Sequence, residues 1–155
     1  GKLRTLEQAM VEVEAVRKTG GKVVFTNGCF DIIHSGHVTL LEKATKLGVM
    51  LIIGLNTDAS IKRLKGPERP VNSLDDRARV LCALGCVDAI VPFDADTPIA
   101  LIDAILPDVL VKGGDYAREQ VVGHEIVEAS GGRVALIDLV EGKSTTGTIE
   151  KLRSP

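Results

Sequence analysis

The sequence predicts an α/β fold: a five-stranded parallel sheet with helices on both faces, in a single domain. Three observations predict it. Short aliphatic runs alternate with helix-patterned segments along the chain, as expected when crossover helices cover both faces of a sheet. The 155 residues suit one core. The composition is 45% hydrophobic with no Trp, one Tyr and three Phe, so aliphatic side chains must fill that core. We read residues 1–155 as one domain, with an N-terminal helical extension at 1–21 and a core at 22–152.

The elements follow in order. Thr5-Leu6-Glu7-Gln8 has the form of a capping box, and Leu6, Ala9, Met10, Val13 and Val16 continue at helical spacing. Gly20-Gly21 stops that helix. Val23 to Thr26 is the first strand. Gly36 to Leu47 is a helix with Leu40, Leu41, Ala44 and Leu47 as its apolar stripe, and Val49 to Leu55 is a buried strand. Thr57 to Leu64 is helical, followed by a loop, KGPERPVN, with two prolines. Ser73 caps a helix through Leu84, and Ala89 to Val91 is a short strand. Thr97-Pro98 opens a helix in cap-then-proline order. Val109 to Val111 is a strand, followed by KGGDY, a helix through Ala129, a strand at Val134 to Ile137, the loop VEGKS and a short last helix.

Five strands joined by right-handed crossovers make a Rossmann-like sheet. Such a sheet binds its ligand beyond the carboxyl ends of the strands, where strand order reverses. TNGCFDIIHSGH, NTD, KGGDY and VEGKS each follow a strand, so these polar, glycine-bearing stretches should meet on one rim.

Composition narrows the partners. The formal net charge is -2, with no block of like charges, which gives no footprint for duplex nucleic acid or an anionic membrane. Few aromatics argue against stacking single-stranded bases. No apolar stretch is long enough for a membrane span, so a soluble cytoplasmic protein is expected. Gly1 at the start suggests a trimmed chain or a domain cut from a longer one. Cys29, Cys82 and Cys86 form no disulfide framework. Cys82 and Cys86, four apart, could share a helix face and a metal, but apolar packing is the stronger reading and no metal site is expected.

Two nucleotide motifs fail. Gly142-Lys143-Ser144 resembles the end of a Walker A loop, but Ile137 stands where its first glycine belongs. No G-x-G-x-x-G follows the first strand, which argues against a dinucleotide. What remains is His34-Ser35-Gly36-His37. These residues read either as two helix-capping histidines or as a phosphate clamp. Their place after a strand, opening an amphipathic helix, favours the clamp. Gly36 lets the backbone approach a ligand, and the helix mouth offers N–H groups and a dipole to an anion. Two imidazoles there can donate to a phosphate whose charge grows in a transition state.

GCFDIIHSGH resembles the signature of the nucleotidyltransferase superfamily that includes cytidylyltransferases and pantetheine-phosphate adenylyltransferase. EGKSTT at Glu141 to Thr146 resembles its second signature. Within it, FTNGCFDIIHSGH, LKGPERPVN, DRARVL, LVKGGDY and VEGKSTT are most similar to D-glycero-β-D-manno-heptose 1-phosphate adenylyltransferases, stand-alone or as the C-terminal half of a bifunctional kinase/adenylyltransferase. The resemblance covers roughly residues 22–152. It implies transfer of AMP from ATP, with Mg2+, to a sugar 1-phosphate. ADP-heptose and pyrophosphate would be the products, for lipopolysaccharide or other heptose-containing glycans. It also implies self-association into a homo-oligomer.

Roles follow residue by residue. His34, His37 and Lys65 are the catalytic candidates. Thr26, Asn27, Gly28, Phe30, Gly36, His37, Arg77, Val140, Glu141, Ser144 and Thr145 are the nucleotide-binding candidates. Asp31, Lys112 and Asp115 are expected at the acceptor, Asp31 by accepting from sugar hydroxyls. Lys65 and Arg77 have a surface lysine and a structural ion pair as alternatives, and KGGDY has a plain glycine turn. His124 reads as a surface residue. Two other functions stay open: a cytidylyltransferase of the same superfamily, such as one acting on glycerol 3-phosphate, and a nucleotide-binding module without turnover.

Overall fold

The structure, a computed structural model, describes residues 1–138. The expected loop at 140–144 and the last helix lie outside them, as do Val140, Glu141, Ser144 and Thr145. The chain runs α1 (Leu6–Lys18), β1 (Val23–Gly28), α2 (Ser35–Thr45), β2 (Met50–Asn56), α3 (Asp58–Lys65), α4 (Leu74–Cys82), β3 (Ala89–Phe93), α5 (Ile99–Ile105), β4 (Val109–Gly113), a 3-10 turn (Arg118–Gln120), α6 (His124–Ala129) and β5 (Arg133–Ile137).

All five strands are parallel, in the order β3-β2-β1-β4-β5. Strand alternation sorts the core into two layers. Val23, Phe25, Met50, Ile52, Ala89, Val91 and Leu110 face α1, α5 and α6, meeting Ala9, Val13, Ile102, Ile105 and Val127. Val24, Leu51, Ile53, Leu55, Ile90, Val109 and Val111 face α2 and α4, meeting Leu40, Leu41, Ala44, Ala78 and Leu81. Residues ahead of β1 are stitched into this body. Thr5 and Gln8 close the capping box of α1, and Leu3 makes a parallel bridge to Ile90 at the sheet edge. No helix among the described residues is long and apolar enough to cross a membrane.

Strand order reverses between β1 and β4. Those two strands pair only at Val24–Val109 and Phe25–Leu110. Beyond that they part, and the buried Thr26 hydroxyl spans the gap, donating to the Val111 carbonyl at 3.0 Å. A crevice opens from this point toward the carboxyl ends.

Three local readings are corrected. The helix expected through Ala129 is broken into the 3-10 turn and the six-residue α6. Gly123 separates them with φ +90, and a Cβ there would meet the Ile102 side chain at 2.7 Å. Lys65 is not in a loop: it is the last residue of α3, and Gly66 stops the helix with φ +105. Cys86 lies beyond the end of α4, so it shares no helix face with Cys82. Both thiols pack against the α2/α4 layer.

Candidate active site

The turn after β1 delivers the two histidines to the crevice. Phe30 holds a left-handed φ of 46° and packs its ring under α2. Gly28 has no Cβ because one would touch that ring at 3.0 Å. His34 is the N-cap of α2, and its Nδ1 accepts from the Gly36 N–H at 3.1 Å. His37 reaches back, its Nδ1 accepting from the His34 N–H at 3.2 Å. The two rings stack with centroids 4.1 Å apart, and Phe30 stands 5.4 Å from His37.

This double cap fixes the protons. An Nδ1 that accepts carries no hydrogen, so each neutral ring holds its hydrogen on Nε2. Burial, then the charges of His34 and Lys65, push the His37 pKa down to about 4. His37 is therefore a neutral Nε2–H donor at physiological pH. The cap also corrects the expected helix mouth. The Gly36 N–H is taken by His34, while the His37 and Val38 N–H groups donate to the His34 carbonyl. At this mouth three backbone N–H groups are thus spent within the cap, and the His37 Nε2–H is the donor that its tautomer offers an anion.

Cations gather at the same rim. Lys65 is exposed at the end of α3, and its charge bears on His37, Cys29 and Lys112. Burial, and secondarily Lys65, lowers the Lys112 pKa, and its ammonium lies 5.4 Å from the Tyr116 ring centroid. Burial raises the Cys29 thiol pKa against the pull of Lys65, Arg77 and Arg69. Lys65 thus lies within charge range of both His37 and Lys112, whereas Asp115 is exposed on the loop after β4. His124 opens α6 and faces Glu128, Nδ1 to Oε1 3.3 Å.

Two expectations change in kind. Asp31 does not present its carboxylate to an acceptor. The side chain has no exposed surface and accepts from Arg69 Nε at 2.9 Å, Val71 N–H at 2.9 Å and Asn72 N–H at 2.8 Å. Burial pushes this carboxyl up, but the Asn72 and Val71 N–H groups and Arg69 outweigh it and hold it below its ordinary value. A buried carboxylate must be paired, and here the pairing locks the loop after α3 onto the turn after β1. Arg77, also fully buried, is likewise architectural. It donates to the carbonyls of Asn72, Cys29 and Asn56 at 3.0, 2.8 and 2.7 Å and to Asp58 Oδ1 at 2.7 Å. Four of its five N–H donors are spent holding β1, β2 and α4 in register. Arg69 and Asp58, partners in these locks, lie in stretches the sequence marks, LKGPERPVN and NTD, but neither is assigned a role there.

The cytidylyltransferase-like family profile matches residues 25–141, most of the chain and every described element of this site. The chain belongs to the cytidylyltransferase-like family. Among curated relatives, it is 57% identical over 151 residues to a bifunctional protein HldE of Syntrophotalea carbinolica, covering 97% of this chain and 31% of that protein. A bifunctional protein HldE of Mesorhizobium japonicum is 61% identical over 142 residues, covering 92% of this chain and 29% of that protein. The chain thus spans about a third of the curated relatives it matches. A crystal structure of a lipopolysaccharide core biosynthesis protein from Thermoplasma volcanium GSS1 superposes with a TM-score of 0.63 at 23% identity, covering 78% of this chain and 98% of that one. That match supports the cytidylyltransferase-like fold alone.

Proposed function

We propose that the chain is an adenylyltransferase that transfers AMP from ATP to D-glycero-β-D-manno-heptose 1-phosphate, releasing ADP-heptose and pyrophosphate for heptose-containing glycans such as lipopolysaccharide. The observation that carries the chemistry is the pair of stacked imidazoles at the mouth of α2, their tautomers fixed, beside Lys65 and Lys112 at the strand-order switch. The choice of acceptor rests on the motif resemblance and on 57–61% identity to the HldE proteins.

The step is a direct displacement. An oxygen of the sugar phosphate forms a bond to the α-phosphorus, the bond to the bridging oxygen breaks, and pyrophosphate leaves with the electron pair. A phosphate monoester is already anionic near neutral pH, so no strong base is needed. Positioning and charge stabilisation then carry the catalysis. His34 and His37 donate from Nε2 to the phosphate oxygens. Lys65 neutralises charge on the polyphosphate, and Lys112 holds the incoming phosphate. Ser144 and Thr145 are assigned to the outer phosphates, Val140 and Glu141 to the base, on the resemblance. No group of three or more His, Cys, Asp or Glu side chains among the described residues could hold a metal. The resemblance implies Mg2+, which would arrive on the triphosphate with its waters, and no step here runs through it. The resemblance also supports a cytoplasmic homo-oligomer, which sedimentation would test.

Measuring pyrophosphate release for each nucleoside triphosphate against a panel of phosphorylated acceptors tests this reading. ATP with heptose 1-phosphate should be the fastest pair. The family's description favours one rival: faster release with CTP and glycerol 3-phosphate would make the chain a cytidylyltransferase. ATP binding without turnover on any acceptor would make it a binding module.

A further inference from the structure

Asn27 and Lys112 extend the alternating series of Phe25 and Leu110, which faces the α5 layer. On that side they line a cavity of about 250 Å3 with Thr97 and Pro98 before α5 and Tyr116 and Gln120 after β4. The cavity lies across the crevice from His34 and His37, whose helix packs on the opposite face of the sheet. Lys112 connects the two halves: it lines the cavity and feels the charge of Lys65. The walls mix apolar surface with hydrogen-bonding groups. The Gln120 Oε1 accepts from the Ala117 N–H at 2.8 Å, which leaves its amide NH2 as a two-hydrogen donor. Thr97 brings a hydroxyl and Asn27 an amide. Sites for larger ligands run to about 300–1,000 Å3. This cavity suits a single sugar ring, not a nucleotide.

We propose that it holds the sugar of the acceptor, with Asn27, Thr97 and Gln120 reading hydroxyls and Lys112 holding the phosphate at the crevice. The proposal rests on the nucleotidyltransferase reading above. It moves acceptor recognition away from Asp31, whose carboxylate is spent within the fold, to the opposite face of the sheet.

Tyr116 is the sole tyrosine of a chain without tryptophan, and it stands on the cavity wall. Its fluorescence therefore reports occupancy without turnover. Titrating the protein with heptose 1-phosphate, which absorbs no exciting light, should change that emission saturably. Thr97→Phe, which places a ring at the exposed rim, should weaken the response and raise the acceptor KM roughly tenfold or more, with the ATP KM within about twofold. An unchanged acceptor KM in Thr97→Phe, or no response in the wild-type protein, overturns the proposal. Failure of the underlying reading looks different. If the panel finds another acceptor, the titration and the KM comparison are run with that acceptor, and the same two outcomes decide. If it finds none, a saturable response to heptose 1-phosphate that Thr97→Phe abolishes supports the cavity, and no response overturns it.

Discussion

Replacing Asp31 by alanine should destabilise the protein far more than it alters acceptor binding. In the structure the carboxylate has no exposed surface, and the Arg69 side chain is 8% exposed. Removing one partner of a buried ion pair costs about 3–5 kcal/mol, because the other charge stays buried without compensation. Two backbone N–H groups, on Val71 and Asn72, lose their acceptor as well. At about 2–4 °C per kcal/mol for a chain of this size, the melting temperature should fall by roughly 6–20 °C. Thermal and urea unfolding followed by circular dichroism, with Arg69→Met and the double variant alongside, measure this. The double variant should cost less than the sum of the singles by about 1–3 kcal/mol. The pH dependence has a defined sign. The carboxyl is held below its ordinary value in the fold, so its contribution is complete above the unfolded value near 3.9 and is lost as pH falls through the folded one. The gap between wild type and Asp31→Ala should therefore narrow below about pH 4. An Asp31→Ala protein that melts within about 2 °C of wild type, while its acceptor KM rises sharply, would show that Asp31 faces the substrate and that the lock described here is wrong.

Other expectations follow from the same geometry. Arg77→Lys keeps the charge but cannot make four hydrogen bonds at once, so it should lose about 3 kcal/mol or more in urea unfolding; wild-type stability would refute the architectural role. His37 should titrate with a midpoint of about 4 by NMR and show its neutral proton on Nε2, whereas a midpoint near 6.5 would contradict its burial beside His34 and Lys65, and a proton on Nδ1 the double cap. Because the fold keeps this ring neutral, its contribution to stability is complete above pH about 6.5 and declines as the unfolded chain takes up protons below it.

The sheet was legible in the sequence because its signal is local. Val23 and Phe25 against Val24, or Met50 and Ile52 against Leu51 and Ile53, are apolar on both faces, as expected of a strand buried between two helix layers. The capping reading of His34 and His37 was legible because three-residue spacing at a helix start is itself the capping geometry, while the clamp reading favoured in the sequence stays a proposal. The roles of Asp31 and Arg77 were not. Their partners lie as far as 41 and 48 residues away, and nothing near either residue says that a loop will close over it. Arg69, in the loop after α3, is buried only because that loop closes over the turn after β1. The cavity was missed for a similar reason. Asn27, Thr97, Lys112 and Gln120 come from four separate segments, and only the strand order brings them together.

The central claim is that imidazole Nε2–H donors at the mouth of α2, with the His37 ring held neutral, stabilise the transition state of nucleotidyl transfer. Single-turnover pyrophosphate release by His37→Ala, with ATP affinity measured separately by calorimetry, tests it most directly. The rate should fall by about 10²–10³ while ATP binding weakens much less, as expected when a transition-state donor is lost. A rate within about twofold of wild type, with ATP still bound, would contradict the mechanism.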